Sequence, residues 1–235
     1  MARFEGEHCD IESPALRRQE RRHTVPQRDG CAAGVRSPSA RTGLIATGTI
    51  LALTTGQLAV ATFVPNLPQF EGKAFGARLV FYPLMMTFVP FLWWVVNRRR
   101  TSENPLPWSA FALIMLPFFI DVTGNTLDLY DTVVWWDDFN HFVNWLFLLW
   151  GCGLLIAHAN VSPRWVLIVA VTGLGAILAV AWELGEWYTF IRRGKELSTA
   201  YEDTLGDEAL GTLGGLFAAF IVARTTQRTI PPDKD

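Results

Sequence analysis

Cysteine is scarce in this chain. There are three among 235 residues, with no CxxC pair and no Cys/His spacing of the kind zinc modules use. Cys9 and Cys31 fall in a polar stretch and Cys152 in an apolar run, so unpaired thiols are expected rather than a disulfide framework. No internal repeat is visible, and the isolated Gly173-Leu-Gly175 is too short a signal for a nucleotide-binding loop. No small-residue cleavage site follows the N-terminal stretch, which is too long and too charged for the n-region of a signal peptide. Positive charge is withheld from one region: the first 42 residues carry eight Arg, whereas Asp121 to Asn160 holds no Lys or Arg at all. The formal charge of −2 averages over these regions, and no nucleic-acid partner is expected.

Apolar surface, by contrast, is abundant. Half the residues are hydrophobic, with ten Trp and sixteen Phe, and mean hydropathy is +0.22. A soluble domain of this length rarely needs so much. Several runs reach the roughly 20 residues needed to cross hydrocarbon. The expected fold is all-α: a polytopic membrane helix bundle of about six transmembrane helices, with a disordered N-terminal tail. Residues 1–42 read as an Arg-rich cytoplasmic tail, 43–224 as the transmembrane helical domain, and 225–235 as a short cytoplasmic C-terminal tail.

The spans are expected at about Gly43 to Val64, ending before Pro65 and Pro68, and at about Gly76 to Val96, ending at Arg98, Arg99 and Arg100. The third starts near Trp108, passes Pro117 and reaches Asp121 to Leu129. The last three run from about Phe139 to Ala159, Trp165 to Ile191, and Gly206 to Ala223. Lys/Arg counts favour both termini on the inside, although Arg192, Arg193 and Lys195 then lie in an outer loop against the rule. Trp93, Trp94, Trp108, Trp135, Trp136, Trp165 and Trp187 fall near span ends, where amphipathic rings prefer the interface. Gly211, Gly214, Gly215, Ala218 and Ala219 would admit a close helix, and packing within one monomer is preferred to dimerisation.

Alternating helix direction brings four segment ends to one side. These ends carry Asp138 with His141, Glu183 with Glu186, and Asp203 with Asp207, each pair about one helical turn apart. Asp121, Asn125 and Asp128 share a face if the third helix continues, and Glu208 is adjacent. Glu183 sits deep in an apolar run, where facing lipid would cost about 2.5–3.5 kcal/mol, so it is expected to face the bundle interior. The carboxylate oxygens suit a hard divalent cation such as Mg²⁺, Ca²⁺ or Mn²⁺, and one imidazole adds Mn²⁺, Fe²⁺ or Zn²⁺. On that reading Glu183, Glu186, Asp203, Asp207 and His141 are metal ligands, and His141, Asp138 and Glu186 are acid/base groups.

Structural roles compete with this. Acidic residues at helix N-termini are favoured by the helix dipole, Asp203 before Thr204 reads as an N-cap, and Arg192, Arg193 and Lys195 are available to neutralise Glu183 and Glu186. Asn140 and Asn144 read as interhelical hydrogen-bond donors, His158 as an interfacial residue, and Tyr130 and Tyr201 as either anchors or site members.

The order Asp138-Phe-Asn-His141, Trp182-Glu183-Leu-Gly-Glu186-Trp187-Tyr188, Asp203-Thr204-Leu-Gly206-Asp207, then Leu213-Gly214-Gly215 resembles the YjdF-like family of bacterial inner-membrane proteins. It is more distantly similar to the VanZ-like proteins, whose pattern has Lys, Gln and Arg where this chain has Phe139, Glu186 and no Arg. The resemblance covers about Leu106 to Ala223 and implies a multi-span helical membrane protein of the bacterial inner membrane, with no settled reaction. The expected partners are the bilayer and a lipid-linked substrate. The competing functions are a metal-assisted site acting on an envelope lipid, an ion-coupled transporter, and a structural or accessory membrane protein.

Overall fold

With no water in hydrocarbon to satisfy backbone N–H and C=O groups, runs this apolar close their hydrogen bonds internally, and helices result. The computed structural model describes residues 40–64, 66–98, 106–189, 191–193 and 198–226. The expectations for the N-terminal tail up to residue 39 and for residues 227–235 lie outside the described residues. Among the described residues there are seven α-helices: α1 Ala40–Phe63, α2 Phe75–Asn97, α3 Trp108–Thr126, the short α4 Leu129–Thr132, α5 Trp136–Ala157, α6 Arg164–Thr189 and α7 Ala200–Thr225. No strand occurs among the described residues. All but α4 are long and apolar enough to cross a membrane. The shortest of these, α3, has 19 residues, about 28 Å at the helical rise.

Two ends differ from the sequence reading. α3 runs unbroken through Pro117 but stops at Thr126, and Asp128 takes a left-handed conformation with φ 59°. Asp128 therefore leaves the face that Asp121 and Asn125 share. α7 begins at Ala200, six residues before the expected Gly206, with Glu202 and Asp203 in its first turn. Those acids complement the positive end of the helix dipole, so the polar stretch extends the helix rather than preceding it. Thr199, not Asp203, occupies the N-cap position.

α7 packs between α5 and α6, α5 packs against α3 as well, and α3 packs against α1. The close approach depends on missing side chains. A Cβ on Gly214 would lie 2.3 Å from the Phe142 carbonyl oxygen, and one on Gly151 would lie 2.6 Å from the Ala110 carbonyl oxygen. The small residues expected to admit a helix, Gly211, Gly214, Gly215, Ala218 and Ala219, are all buried within this one chain. Leu149, Val171, Ala218, Ala219 and Val222 form the core of α5–α7, and Leu58, Phe70, Phe75, Tyr82 and Val122 form a second core around α1–α3. Trp182 packs against both. The outer faces are apolar as well, for example Phe81, Leu84, Phe88 and Phe91 on α2, as a lipid-facing surface must be.

Polar bonds tie α1 to α3. Gln57 donates from Nε2 to Thr123 Oγ1 at 3.2 Å and accepts from Thr126 Oγ1 at 3.0 Å. The Thr47 hydroxyl contacts both the Gly43 and Trp108 carbonyls, at 2.8 and 3.1 Å. Interhelical bonds of this kind hold helices where hydrophobicity gives them no preference for one another over lipid.

Candidate functional site

His141 stands on the first turns of α5, at the end where α6 finishes and α7 starts. Its imidazole is the meeting point of three carboxylates from three helices. Nε2 lies 3.5 Å from Asp207 Oδ1 of α7 and 3.9 Å from Asp137 Oδ1, one turn back on α5. Nδ1 lies 3.9 Å from Glu183 Oε1 of α6. The side chains of His141, Glu183 and Asp207 are 10%, 7% and 5% exposed, so the centre is screened from solvent apart from Asp137, which is 51% exposed. These separations exceed direct hydrogen bonds. The Nε2 separations from Asp207 and Asp137 match donors that share one cation: ligands about 2.0–2.2 Å from a metal stand about 3–4.3 Å apart. Suitable ligand atoms of Asp137, His141 and Asp207 all lie within 4.8 Å of one another.

Three of the six residues singled out from spacing, His141, Glu183 and Asp207, thus come together. Glu186 is partly buried on α6, within electrostatic reach of Glu183, Asp137, Arg78 and Asp121. Asp138 is exposed, and Asp203 is exposed on the first turn of α7. Asp137 was missed. The pair Asp137-Asp138 offers His141 a carboxylate at both i−4 and i−3, and spacing alone does not choose between them; the helix turns the i−4 side chain toward Nε2. Glu208 is partly buried beside Glu183.

Asp121 belongs to a separate network. Its Oδ2 accepts from Arg78 Nη1 at 3.0 Å and Tyr82 OH at 2.8 Å, and its Oδ1 accepts from Tyr130 OH at 2.9 Å and Asn125 Nδ2 at 3.3 Å. Four donors from α2, α3 and α4 occupy both oxygens. Burial, and then the adjacent Asp121 carboxylate, hold the Tyr130 phenol well above its ordinary pKa, so it remains a donor. Tyr130 is therefore a member of this network, whereas Tyr201 is exposed. Outside it, Lys73 Nζ meets Asp131 Oδ2 at 2.5 Å and holds that carboxyl below the usual range.

Among the described residues, Asn140 and Asn144 bond within their own helix. Asn140 Nδ2 donates to the Trp136 carbonyl at 2.7 Å, and Asn144 Nδ2 to Asn140 Oδ1 at 3.3 Å, all within α5. His158, exposed at the far end of α5, bonds the Leu154 carbonyl and meets the Trp93 ring edge-on. The Arg192 guanidinium lies 3.8 Å from the centre of the Tyr188 ring, and the cation within electrostatic reach of Glu186 is Arg78. The Arg193 side chain and Lys195 lie outside the described residues.

A family model described as "Predicted membrane protein (DUF2238)" matches residues 49–228. No curated protein and no solved structure matches the chain.

Proposed function

This chain belongs to the DUF2238 family of predicted membrane proteins, and from that premise we propose that the centre around His141 binds a divalent metal ion and acts on an envelope lipid or lipid-linked substrate. The observation that carries the reading is the His141 ring held between the carboxylates of two other helices, Nε2 toward Asp207 and Nδ1 toward Glu183. A helix bundle has no packing reason to bury two acids against one imidazole, because each isolated charge costs several kcal/mol in an apolar interior (on the order of 2.5–3.5 kcal/mol on insertion scales). A cation among them offsets that cost.

The roles divide by nitrogen. Nε2, Asp137 and Asp207 would hold the ion. Nδ1–H would point to Glu183, which then fixes the tautomer and ring orientation, as carboxylates commonly do behind metal-bound histidines. Glu183 is thereby an orienting residue rather than a ligand. Glu186 and Asp203 supply negative potential nearby. A bound divalent ion would polarise a phosphoryl or acyl oxygen and lower the pKa of water. On this reading the site opens on the side away from both termini, in a bacterial inner membrane, and the motif order supports a YjdF-like relationship.

Metal analysis of the detergent-purified chain tests this. About one equivalent of Mn, Fe or Zn is expected in the wild type, with loss in Asp207→Asn and His141→Ala and partial retention in Glu183→Gln; losing the residue that orients a metal-bound histidine usually weakens affinity about 10–100-fold. Wild-type protein that stays metal-free after reloading with each ion would overturn the reading. Cation flux into liposomes that Glu183→Gln abolishes, without bound metal, would select an ion-coupled carrier instead.

A further inference from the structure

Beside the centre, α6 and α7 part to leave a groove of about 330 Å³, lined by Val180, Glu183, Leu184, Trp187, Thr204 and Glu208. Val180, Leu184 and Trp187 are exposed on the outer face of α6, so the groove opens sideways, toward lipid, rather than along the bundle axis. Two of its six lining residues are carboxylates, and these lie close enough to interact electrostatically. None of the six is a cation. Two acids facing an apolar-walled opening at the edge of a bilayer call for a positive partner.

We propose that this groove admits, from within the bilayer, a lipid whose headgroup carries a primary amine. The chemistry of the lining selects that class. An ammonium has three donors and no acceptor, which suits the carboxylates of Glu183 and Glu208, the former also hydrogen-bonded by Thr204. The Trp187 indole, at the end of α6 where headgroups lie, adds a face that attracts a cation. Val180 and Leu184 continue the groove as an apolar track for an acyl chain. A quaternary headgroup has no N–H to donate, and a headgroup that is anionic overall meets two carboxylates. Glu183 is shared with the His141 centre at 3.9 Å, so a headgroup in the groove lies one side chain from that centre. The lipid's role as substrate rests on the function proposed above; its binding does not.

Native mass spectrometry of the full chain in detergent, titrated with dioctanoyl phosphatidylethanolamine, phosphatidylcholine and phosphatidylglycerol, tests the proposal, with metal content measured on the same preparations. The ethanolamine lipid is expected to be retained in preference to the other two. Glu208→Gln is expected to weaken that retention at least about tenfold, the scale of one lost charged contact, with metal content unchanged. Leu184→Trp, which fills the apolar track from an exposed position, is expected to do the same. Equal retention of all three lipids, or retention indifferent to both substitutions, overturns the amine groove and leaves the metal reading standing. Selective retention by a metal-free protein keeps the groove and removes the reaction.

Discussion

At the scale of single residues, the molecule separates two kinds of carboxylate by what faces them. Asp121 is matched by four donors and acts as a clasp; Glu183 and Asp207 meet an imidazole at longer range. Removing Asp121 leaves the Arg78 guanidinium, 19% exposed, without its partner. Asp121→Ala is therefore expected to destabilise by about 3–5 kcal/mol, read as a large fall in the thermal midpoint in detergent, with metal content held in whatever fraction remains folded. The exposed Lys73–Asp131 pair behaves differently. Its carboxyl has a depressed folded pKa, so its contribution is fully present above the unfolded value of about 3.9 and is lost as pH falls through the folded value. Asp131→Asn is expected to lower stability slightly near pH 7, within the about 0–1 kcal/mol of surface pairs, and the difference should shrink in melts run at successively lower pH below about 3.9.

At the scale of elements, the site depends on how close α7 can come to α5. Gly214 meets the Phe142 backbone, one residue from His141, so a side chain there drives the two helices apart and carries Asp207 away from Nε2. Gly214→Val is expected to lower the thermal midpoint and abolish metal retention together. Gly185, on α6 between Glu183 and Glu186, has open space where a Cβ would go. Gly185→Ala should fold at least as well as wild type, because a helix-interior Gly costs up to about 1 kcal/mol relative to Ala. A loss of metal in both variants would show that distance between α5 and α7 is not the controlling quantity. The helices themselves were legible: apolar run lengths gave all six long elements. The start of α7 was not, because Tyr201-Glu202-Asp203-Thr204 carries no apolar signal and its helix is held by the dipole and by tertiary contacts.

At the scale of the whole molecule, the decisive feature is that the α5 start, the α6 end and the α7 start share one side. In a chain freed of its native cysteines, Val134→Cys and Ser198→Cys are expected to react with an impermeant maleimide from the same side of a sealed vesicle, and Asn160→Cys from the opposite one. Labelling of 134 and 198 from different sides would dissolve the centre, since His141 could not then meet Asp207.

The sequence by itself determined the class of fold, the count of long helices, and the side on which His141, Glu183 and Asp207 gather. Those follow from hydrocarbon thickness and from the parity of successive crossings, which are one-dimensional properties. It did not determine which of Asp137 and Asp138 turns toward the imidazole, that Asp121 is consumed by Arg78, Tyr82 and Tyr130, or that the asparagines of α5 bond within their own helix. Those were decided by helix rotation and by the close backbone approach that Gly151 and Gly214 permit, which depend on three-dimensional packing and leave no trace in spacing along the chain.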